Sequence, residues 1–319
     1  MTKKKILITG CAGFIGSNLL DALLKKNFEI IGIDNFSTGK KKFIKKNLNN
    51  KSFKFYNFNL INKKKLVNIS KNVDIVYHLA ANADVRNGFN NSNIDLKQNI
   101  IVTHNVLESM KINKIKKIIF TSTASVYGDT NIFPTKEKSP INRQTSLYAA
   151  SKLSCESLIT AYSEGYGINC WIFRLVSNLG ENYSHGHIYD FTKAYFKGKK
   201  TLKVLGNGYQ NKSYLYVGDC INALLLALFK KRYRVNVLNL GYPGSLTVKK
   251  SLNIILKKLE WEPKLTFENK KEGWKGDNPK IILNISEIKK IGWKPYVKMK
   301  QAVELTVDFL VKNKWVFKL

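Results

Sequence analysis

The first half of the chain alternates short apolar runs with longer stretches in which apolar residues recur at helical spacing. The apolar runs cover residues 5–9, 29–34, 53–58, 74–79, 115–122 and 169–175, and the helical stretches cover residues 13–26, 95–112 and 147–166. Short strands that alternate with helices need crossover connections, which are right-handed in parallel sheets. The pattern therefore predicts an α/β fold built on a doubly wound parallel sheet.

Beyond residue 176 the regular alternation is lost. Glycine-rich loops occur at residues 206–208 and 241–244, and helical patterns occur at residues 219–230 and 249–259. A chain of 319 residues, of which 44% are hydrophobic, is long enough for two unequal domains. We therefore predict a first domain at residues 1–176, which holds the sheet, and a smaller C-terminal lobe at residues 177–319 that returns in part to the first.

The chain carries a formal net charge of +32, which by itself would suit a nucleic acid or an anionic membrane as partner. Only five of its 54 basic residues are arginine, the side chain that makes bidentate contacts with phosphates and bases. The lysines are spread along the whole chain. This distribution favours a solvated basic surface and no nucleic-acid partner, with a basic face that attracts an anionic substrate as the alternative.

Four cysteines, Cys11, Cys155, Cys170 and Cys220, lie far apart, without the spacing of a metal site or of a disulfide framework. The apolar run at residues 6–8 is too short for a signal peptide or a membrane span. We therefore expect a cytoplasmic protein that binds no metal and does not insert into a membrane.

A glycine-rich segment joins the first predicted strand to the first predicted helix. In it, Gly10 permits a tight turn, Gly13 allows the backbone to approach a pyrophosphate, and Gly16 allows helix and strand to pack closely. Asp34 ends the next strand, about 20 residues later, where a carboxylate accepts hydrogen bonds from the adenosine ribose and repels a 2′-phosphate. The spacing predicts a Rossmann-type site that binds NAD rather than NADP.

Tyr148 and Lys152 open the helix predicted at residues 147–166, and their i, i+4 spacing places phenol and ammonium on one face. A neighbouring cation, together with the positive nicotinamide of NAD, stabilises the phenolate and is expected to lower the pKa of the tyrosine toward the working pH. Such a tyrosine can take a proton from a sugar hydroxyl while hydride leaves for NAD. The pair therefore predicts a hydroxyl-oxidising enzyme, although this spacing alone also occurs by chance.

The surroundings of the pair resemble a known family. Residues 120–128 close a strand about 25 residues upstream, residues 78–81 close the strand before it, and Asn99 lies between the two. Together with the glycine loop and Asp34-Asn35, they resemble the extended short-chain dehydrogenase/reductase family, whose members act on nucleotide-sugars. The resemblance covers essentially the whole chain and implies an NAD-binding first domain and a substrate-binding C-terminal lobe.

The resemblance also implies roles for individual residues. Thr123 matches the residue that hydrogen-bonds the reacting hydroxyl, Tyr148 the acid/base, and Lys152 the residue that holds the nicotinamide ribose. Asn59 stands where an aspartate is usual beside the adenine. The implied contacts of a tightly held NAD are Gly10, Gly13, Phe14, Ile15, Gly16, Asp34, Asn35, Ser37, Asn59, Leu60, Leu79, Ala80, Ala81, Asn99, Thr121, Tyr148, Lys152 and Leu175.

Within the family, five segments look like the UDP-glucose (UDP-galactose) 4-epimerase-like proteins of prokaryotes, which act at C4 of a hexose. The segments are residues 78–89, 185–191, 212–219, 274–277 and 291–295. On this resemblance, the substrate contacts are Arg86, Thr123, Ser177, Asn178, His187 and Lys212. Relatives pack the two helices at residues 95–112 and 147–166 into a dimer interface, so we expect a homodimer.

Three chemistries begin with oxidation at C4. Family 4,6-dehydratases carry Asp-Glu where this chain has Ala124 and Ser125, and family decarboxylases carry a glutamate in place of Ser125. The missing carboxylates disfavour both reactions, because elimination needs an additional acid and base. An epimerase that needs only NAD and a roomy pocket is therefore expected, in polysaccharide or glycan precursor synthesis.

Two other readings stay open. A C4 dehydrogenase that releases the 4-keto sugar would share every motif above, and a non-catalytic basic binding protein could keep the fold. The family pattern has Asn and Pro where this chain has Ser177 and Glu181. These two departures indicate that the substrate, and with it the reaction, can differ from those of ordinary epimerases.

Overall fold

The computed structural model of the chain describes residues 3–82, 84–230 and 232–317. Its strands are β1 (Lys5–Thr9), β2 (Glu29–Asp34), β3 (Phe53–Asn57), β4 (Ile75–His78), β5 (Lys117–Thr123), β6 (Asn169–Leu175), β7 (Ser177–Leu179), β8 (Thr201–Val204), β9 (Asn211–Lys212), β10 (Tyr214–Tyr216), β11 (Val235–Leu240), β12 (Leu246–Thr247), β13 (Lys264–Phe267) and β14 (Lys280–Ile281).

The α-helices are α1 (Phe14–Leu24), α2 (Lys41–Ile44), α3 (Lys63–Ile69), α4 (Asn87–Asn90), α5 (Ser92–Asp95), α6 (Val102–Ile112), α7 (Leu147–Tyr166), α8 (His187–Phe196), α9 (Val217–Phe229), α10 (Val248–Leu259), α11 (Ser286–Lys290) and α12 (Met299–Lys312). Short 3₁₀ turns cover Lys45–Asn47, Ala124–Tyr127 and Lys314–Phe317, and a π-helical turn covers Leu96–Ile101.

Seven strands form the central sheet in the order β11-β6-β5-β4-β1-β2-β3. The pairs β1–β2, β2–β3, β1–β4 and β4–β5 are parallel. All six predicted strands are therefore confirmed, as is the doubly wound α/β fold, and β11 adds a seventh strand that the sequence pattern missed. The strand order reverses at β1, where ligands bind at the carboxyl ends of such sheets.

Burial on both faces explains why these strands appear as continuous apolar runs. In β1, Ile6, Leu7 and Ile8 are all fully buried, and in β4 Val76 and Tyr77 are too. Helices cover both faces of a parallel sheet, so alternation with polar residues is lost. The polar residues at the ends of these strands, where the sheet stops, are the ones available for chemistry.

The helix predicted at residues 95–112 is not continuous. It begins as α5, widens into the π-helical turn at Leu96–Ile101 and continues as α6. Asn99 lies in this turn with 1% of its surface exposed. Single π turns inside helices are often found at functional sites, and here the turn carries a residue of the predicted site.

The chain divides into two compact units by its internal contacts. The first comprises residues up to Val126, Ser146–Arg174 and Leu224–Leu238, and the second comprises Tyr127–Thr145, Leu175–Ala223 and from Asn239 onwards. Residues 224–238 are a return of the chain to the first unit, whereas residues 127–145 belong to the second.

Three small sheets build the second unit. Strand β7 pairs parallel with β10, β8 pairs parallel with β13, and β9 lies between β12 and β14. Across the described ranges, no helix combines the length and the apolar character that a bilayer span requires. All four cysteines are buried and free.

Candidate active site

The glycine loop after β1 is a tightly packed turn. Gly10 has a φ of 70°, and its N–H donates to the carbonyl of Ile33 at 2.8 Å. A Cβ on Gly10 would lie 2.8 Å from the nitrogen of Ala80, and one on Gly16 would overlap the carbonyl oxygen of Gly10. Both positions therefore require glycine, for the reasons predicted from the sequence.

Gly13 immediately precedes α1, and no side chain caps the start of this helix among the described residues. A Cβ on Gly13 would meet only the carbonyl oxygen of Gly10, at 3.3 Å. The space in front of the helix N-terminus is thus not filled by the loop itself. A helix N-terminus attracts negative charge, so residues 10–16 fit a pyrophosphate.

Asp34 ends β2 beside this loop with 8% of its surface exposed. Its carboxylate accepts the N–H of Ala12 at 2.9 Å and that of Phe36 at 2.8 Å. Burial raises the pKa of Asp34, and these backbone hydrogen bonds counteract part of the rise. A carboxylate anchored next to the glycine loop fits an adenosine ribose, so the residues present fit NAD.

Replacing Gly16 with alanine is expected to weaken NAD binding, because the new Cβ would push the Gly10 carbonyl out of the turn. Overpacking of this kind costs about 1–3 kcal/mol, which corresponds to roughly 10–100-fold in affinity. Calorimetric titration with NAD measures the change. Gly165→Ala is the matched control, since a Cβ there would meet nothing within 4 Å. Equal affinity in both variants would contradict the packing argument.

A buried histidine joins β1 to the helices beneath the loop. The Nδ1 of His78 lies 2.7 Å from the hydroxyl of Thr9, and its Nε2 lies 3.0 Å from the hydroxyl of Thr103. The Thr9 hydroxyl also accepts the backbone N–H groups of Leu79 and Ala80, each at 3.2 Å. Burial, and then the charge of Lys152, lower the pKa of His78 to about 3, so it is a neutral structural group near pH 7.

The other predicted cofactor residues lie at or near the carboxyl ends of the sheet strands, in positions set by backbone contacts. Asn35 accepts the N–H of Ser37 at 3.0 Å, and Asn59 accepts the N–H of Ile61 at 3.0 Å. Their contacts with NAD stay predictions. The remaining members are Phe14 and Ile15 in α1, Leu60 after β3, Ala81 after β4, Thr121 in β5, and Leu175 at the end of β6.

Thr123 and Tyr148 meet in the first unit. Thr123 is the last residue of β5, Tyr148 lies in the first turn of α7, and the Thr123 side chain is close enough to the phenol of Tyr148 to lower its pKa. Ser146 caps α7 by accepting the N–H of Ala149 at 3.1 Å. The strand end and the helix start therefore hold the two predicted hydroxyl groups together.

Lys152 lies one turn further along α7 and is 3% exposed. Its ammonium is 4.0 Å from the centre of the Phe120 ring, a cation–π contact. Burial lowers the pKa of Lys152 to about 8, whereas the charges of Cys155 and Glu156 favour its charged form. The lysine is thus a buried cation near pH 7, as its predicted role requires.

The expected lowering of the pKa of Tyr148 is wrong for the protein's own groups. Burial raises its pKa, the charge of Asp95 raises it further, and the hydrogen bond with Thr123 counteracts part of this rise. The sequence argument considered Lys152 and the positive nicotinamide of NAD, and it took no account of burial or of Asp95. The isolated chain therefore holds Tyr148 as a neutral phenol.

A buried ion pair joins β6 to α7, and the sequence analysis did not identify it. The guanidinium of Arg174 in β6 makes contacts of 2.7–3.2 Å with the carboxylate of Glu156 in α7. Ser122 donates a further hydrogen bond to Glu156. The signal was present, because Glu156 follows Lys152 by four residues and so lies on the same helix face.

The side chain of Asn99 makes hydrogen bonds within the protein. Its amide donates to Ser151 at 2.8 Å and to Asp95 at 3.1 Å, and its oxygen accepts the N–H of Asn82 at 2.8 Å. The side chain is fully engaged by these three bonds. Its contact with NAD stays a prediction, and Asp95 is a further site residue that the sequence did not suggest.

Arg86, a predicted substrate contact, lies in the first unit. Its side chain is 51% exposed, and its guanidinium lies 3.8 Å from the carboxylate of Asp84. An exposed pair of this kind contributes little to stability, so Arg86 can change partner at low cost.

The other predicted substrate contacts lie in the second unit. Ser177 and Asn178 belong to β7, in register with Tyr214 and Leu215 of β10. Lys212 lies two residues before β10 begins, and its ammonium binds the buried carboxylate of Asp277 at 2.5 Å. The same ammonium is 4.7 Å from the centre of the Trp274 ring. The charge of Lys212 is therefore partly neutralised before any substrate binds.

His187 is the first residue of α8, and its Nε2 shares a hydrogen bond of 2.9 Å with the hydroxyl of Ser251. Burial, followed by the charge of Lys212, lowers the pKa of His187 to about 3. A substrate contact from this side chain would thus come from a neutral imidazole. Glu181, one of the departures from the family pattern, accepts the hydroxyl of Tyr216 at 2.8 and 3.0 Å.

Comparison with known proteins agrees with this arrangement. The model of the NAD dependent epimerase/dehydratase family matches residues 6–241. A protein of Methanocaldococcus jannaschii described as "Putative UDP-glucose 4-epimerase" is 33% identical over 314 residues, which are 97% of this chain and 99% of that protein.

Two solved structures are similar over nearly the whole chain. The crystal structure of a UDP-galactose 4-epimerase is 30% identical, with a TM-score of 0.88, over 98% of this chain and 100% of the other. A UDP-glucuronic acid 4-epimerase from Bacillus cereus, in complex with UDP-glucuronic acid and NAD, is 28% identical, with a TM-score of 0.89, over 97% and 99%.

Proposed function

The chain belongs to the NAD dependent epimerase/dehydratase family, and from this premise we propose that it is a nucleotide-sugar 4-epimerase. The observation that carries the proposal is the juxtaposition of Thr123 at the end of β5 with Tyr148 in the first turn of α7, and with Lys152 one turn further along that helix. These groups suit the removal of a proton from a sugar hydroxyl. The glycine loop and Asp34, at the ends of β1 and β2 in the same unit, support an NAD site there.

The chain's residues divide the work at C4. Tyr148, in its phenolate form, takes the proton of the C4 hydroxyl and later returns it, while Thr123 orients that hydroxyl by a hydrogen bond. NAD, held by the glycine loop and Asp34, would supply reversible hydride transfer at C4 and a positive charge that favours the phenolate. Lys152 supplies a second positive charge on the same helix face. These charges favour the phenolate, against the burial that keeps Tyr148 neutral in the isolated chain.

The residues next to Thr123 support epimerisation over elimination or decarboxylation. Ala124 is buried and Ser125 donates its N–H to the hydroxyl of Thr123 at 3.2 Å, so neither position offers a carboxylate. An epimerase needs none, because the same hydride returns to the same carbon. Release of the keto sugar, as by a dehydrogenase, remains the outcome that the test below separates.

A UDP-sugar is the proposed substrate class, supported by the relatives named for UDP-glucose, UDP-galactose and UDP-glucuronic acid. We assign its contacts to Arg86 and Thr123 in the first unit and to Ser177, Asn178, His187 and Lys212 in the second. The pairing of Lys212 with Asp277 leaves a weaker positive charge than a free cation would offer a diphosphate.

We place the enzyme in the cytoplasm, in the synthesis of polysaccharide or glycan precursors, and four buried free thiols support a reducing compartment. We also propose a homodimer built on α6 and α7. Apolar exposure supports this proposal, since Ile112 is 53% and Tyr166 is 42% exposed. Light scattering, measured as the protein elutes from a size-exclusion column, would show twice the mass of one chain if the proposal holds.

Incubation with NAD and a panel of C4 epimer pairs tests the function. The panel contains UDP-, GDP-, CDP- and dTDP-sugars, and the products are separated by chromatography. We expect interconversion of a UDP-sugar pair from either side, without net NADH. Stoichiometric NADH with a 4-keto product would establish the dehydrogenase instead, and no reaction with any pair would refute both.

A further inference from the structure

Asp95, at the end of α5, is a buried carboxylate that the reaction above does not use. It is 2% exposed, and its Oδ1 accepts the side-chain amides of Asn82 at 2.9 Å and Asn99 at 3.1 Å. Its Oδ2 is buried without a hydrogen-bond partner among the residues that the structure describes. Burying a carboxylate oxygen without a hydrogen-bond partner costs free energy, so a role for Asp95 should offset this cost.

Hydrogen bonds connect Asp95 to the backbone of the catalytic tyrosine. The side-chain amide of Asn99 donates one hydrogen bond to Asp95 and another to the hydroxyl of Ser151, at 2.8 Å. Ser151 in turn donates to the carbonyl of Tyr148 at 2.8 Å. The series therefore runs from α5 through the π-helical turn into the first turn of α7.

Gly88 in α4 packs closely against the carboxylate of Asp95. A side chain at position 88 would overlap Oδ2 of Asp95, and its Cβ would lie 3.6 Å from the Cβ of Leu147. Gly88 thus allows the backbone of α4 to approach both Asp95 and the residue before Tyr148. Oδ2 of Asp95 therefore lies near the start of α7.

We propose that Asp95 is a positioning residue of the proposed epimerase, which sets the orientation of Tyr148 through Asn99 and Ser151 and opposes its negative form by charge. This inference rests on the proposed function of Tyr148 as acid and base. A tyrosine that must both take and return a proton cannot be a permanent anion. A fixed negative charge nearby keeps the phenol protonated until the positive cofactor ring and the substrate are in place.

Other charged and titratable groups around this pair bear on the test. Burial raises the pKa of Asp95, and the charge of Asp84, in the loop after β4 and beside Arg86, adds to this rise. On α7, Cys155 adds to the rise in the pKa of Tyr148, and Lys152 carries the opposite charge. His78 is neutral, so it does not alter this balance near pH 7.

Asp95→Asn tests the proposal in the NAD-loaded enzyme, because it keeps the shape and removes the charge. The tyrosinate difference spectrum of each protein is recorded against the same protein carrying Tyr148→Phe, which isolates Tyr148. Removal of a like charge should lower the ionisation midpoint of Tyr148 by about one pH unit. At a fixed pH below the midpoint, the tyrosinate fraction should rise about tenfold, and the acid limb of kcat/KM should move to lower pH by the same amount.

Glu164→Gln is the matched control, an acid-to-amide change on the same helix at a side chain that is 71% exposed, and it should leave the midpoint unchanged. An Asp95→Asn midpoint equal to that of the control overturns the proposal. If Asp95→Asn does not fold, Asp95→Ser takes its place, since a hydroxyl can still accept from Asn99. Failure of both to fold assigns Asp95 to folding alone and also overturns it. The spectrum needs no substrate, so it separates this inference from a failure of the epimerase proposal.

Discussion

Tyr148→Phe is expected to lower kcat about a thousandfold, while the protein stays folded and still binds NAD. Phenylalanine keeps the ring in the first turn of α7 but removes the hydroxyl that meets Thr123. Without it, no side chain at this position can accept the C4 proton. The rate of epimer interconversion, measured by chromatography on the substrate found in the panel, gives the effect.

Tyr166→Phe provides the control for this change. Tyr166 ends the same helix and is 42% exposed, so loss of its hydroxyl should leave kcat within about twofold of the parent. NAD affinity should be similar in both variants and in the parent. A Tyr148→Phe enzyme that retains a tenth or more of the parental rate would show that another group carries the proton.

Arg174→Met is expected to have the largest effect on stability. The change leaves the Glu156 carboxylate buried, and among the residues that the structure describes only the hydroxyl of Ser122 still donates a hydrogen bond to it. Loss of one partner of a buried pair costs about 3–5 kcal/mol, because the other charge stays in a site without compensation. Urea unfolding followed by circular dichroism measures the free energy of unfolding.

Arg234→Met is the matched control, since its pair with Glu164 is exposed, at 54% and 71%. An exposed pair contributes at most about 1 kcal/mol. Glu156→Leu combined with Arg174→Met removes both charges and should recover part of the lost stability. If Arg174→Met and Arg234→Met unfold at the same urea concentration, the buried pair does not stabilise the fold.

The elements that the sequence pattern missed share a physical cause. Strand β11 contains Asn236 and Asn239, both buried, which interrupt the apolar run that marks the other strands. Asn239 receives the hydroxyl of Tyr127 at 2.7 Å, and Asn236 donates to the carbonyl of Cys170 at 3.2 Å. Tyr127 and Cys170 lie 112 and 66 residues away from these asparagines in the sequence, so no local pattern could identify the strand.

The π-helical turn at Leu96–Ile101 was missed for a related reason. Its residues have an ordinary helical period, and the widened turn is supported by bonds from Asn99 to Asn82 and Ser151, which lie 17 and 52 residues away. Local spacing predicted the helix. Only the neighbouring loop and α7 decided its geometry.

By itself, the sequence determined six of the seven sheet strands and predicted the roles of the glycine loop, Asp34 and the proposed catalytic set of Thr123, Tyr148 and Lys152. Each depends on the spacing of residues within one strand, turn or helix, and such spacing can be recognised in a short stretch of sequence. The tertiary structure decided the ionisation of that set. Burial and Asp95 keep Tyr148 protonated, and burial lowers the pKa of Lys152 to about 8. Electrostatic free energies depend on solvent exclusion and on charges brought close by folding, which a sequence pattern does not contain.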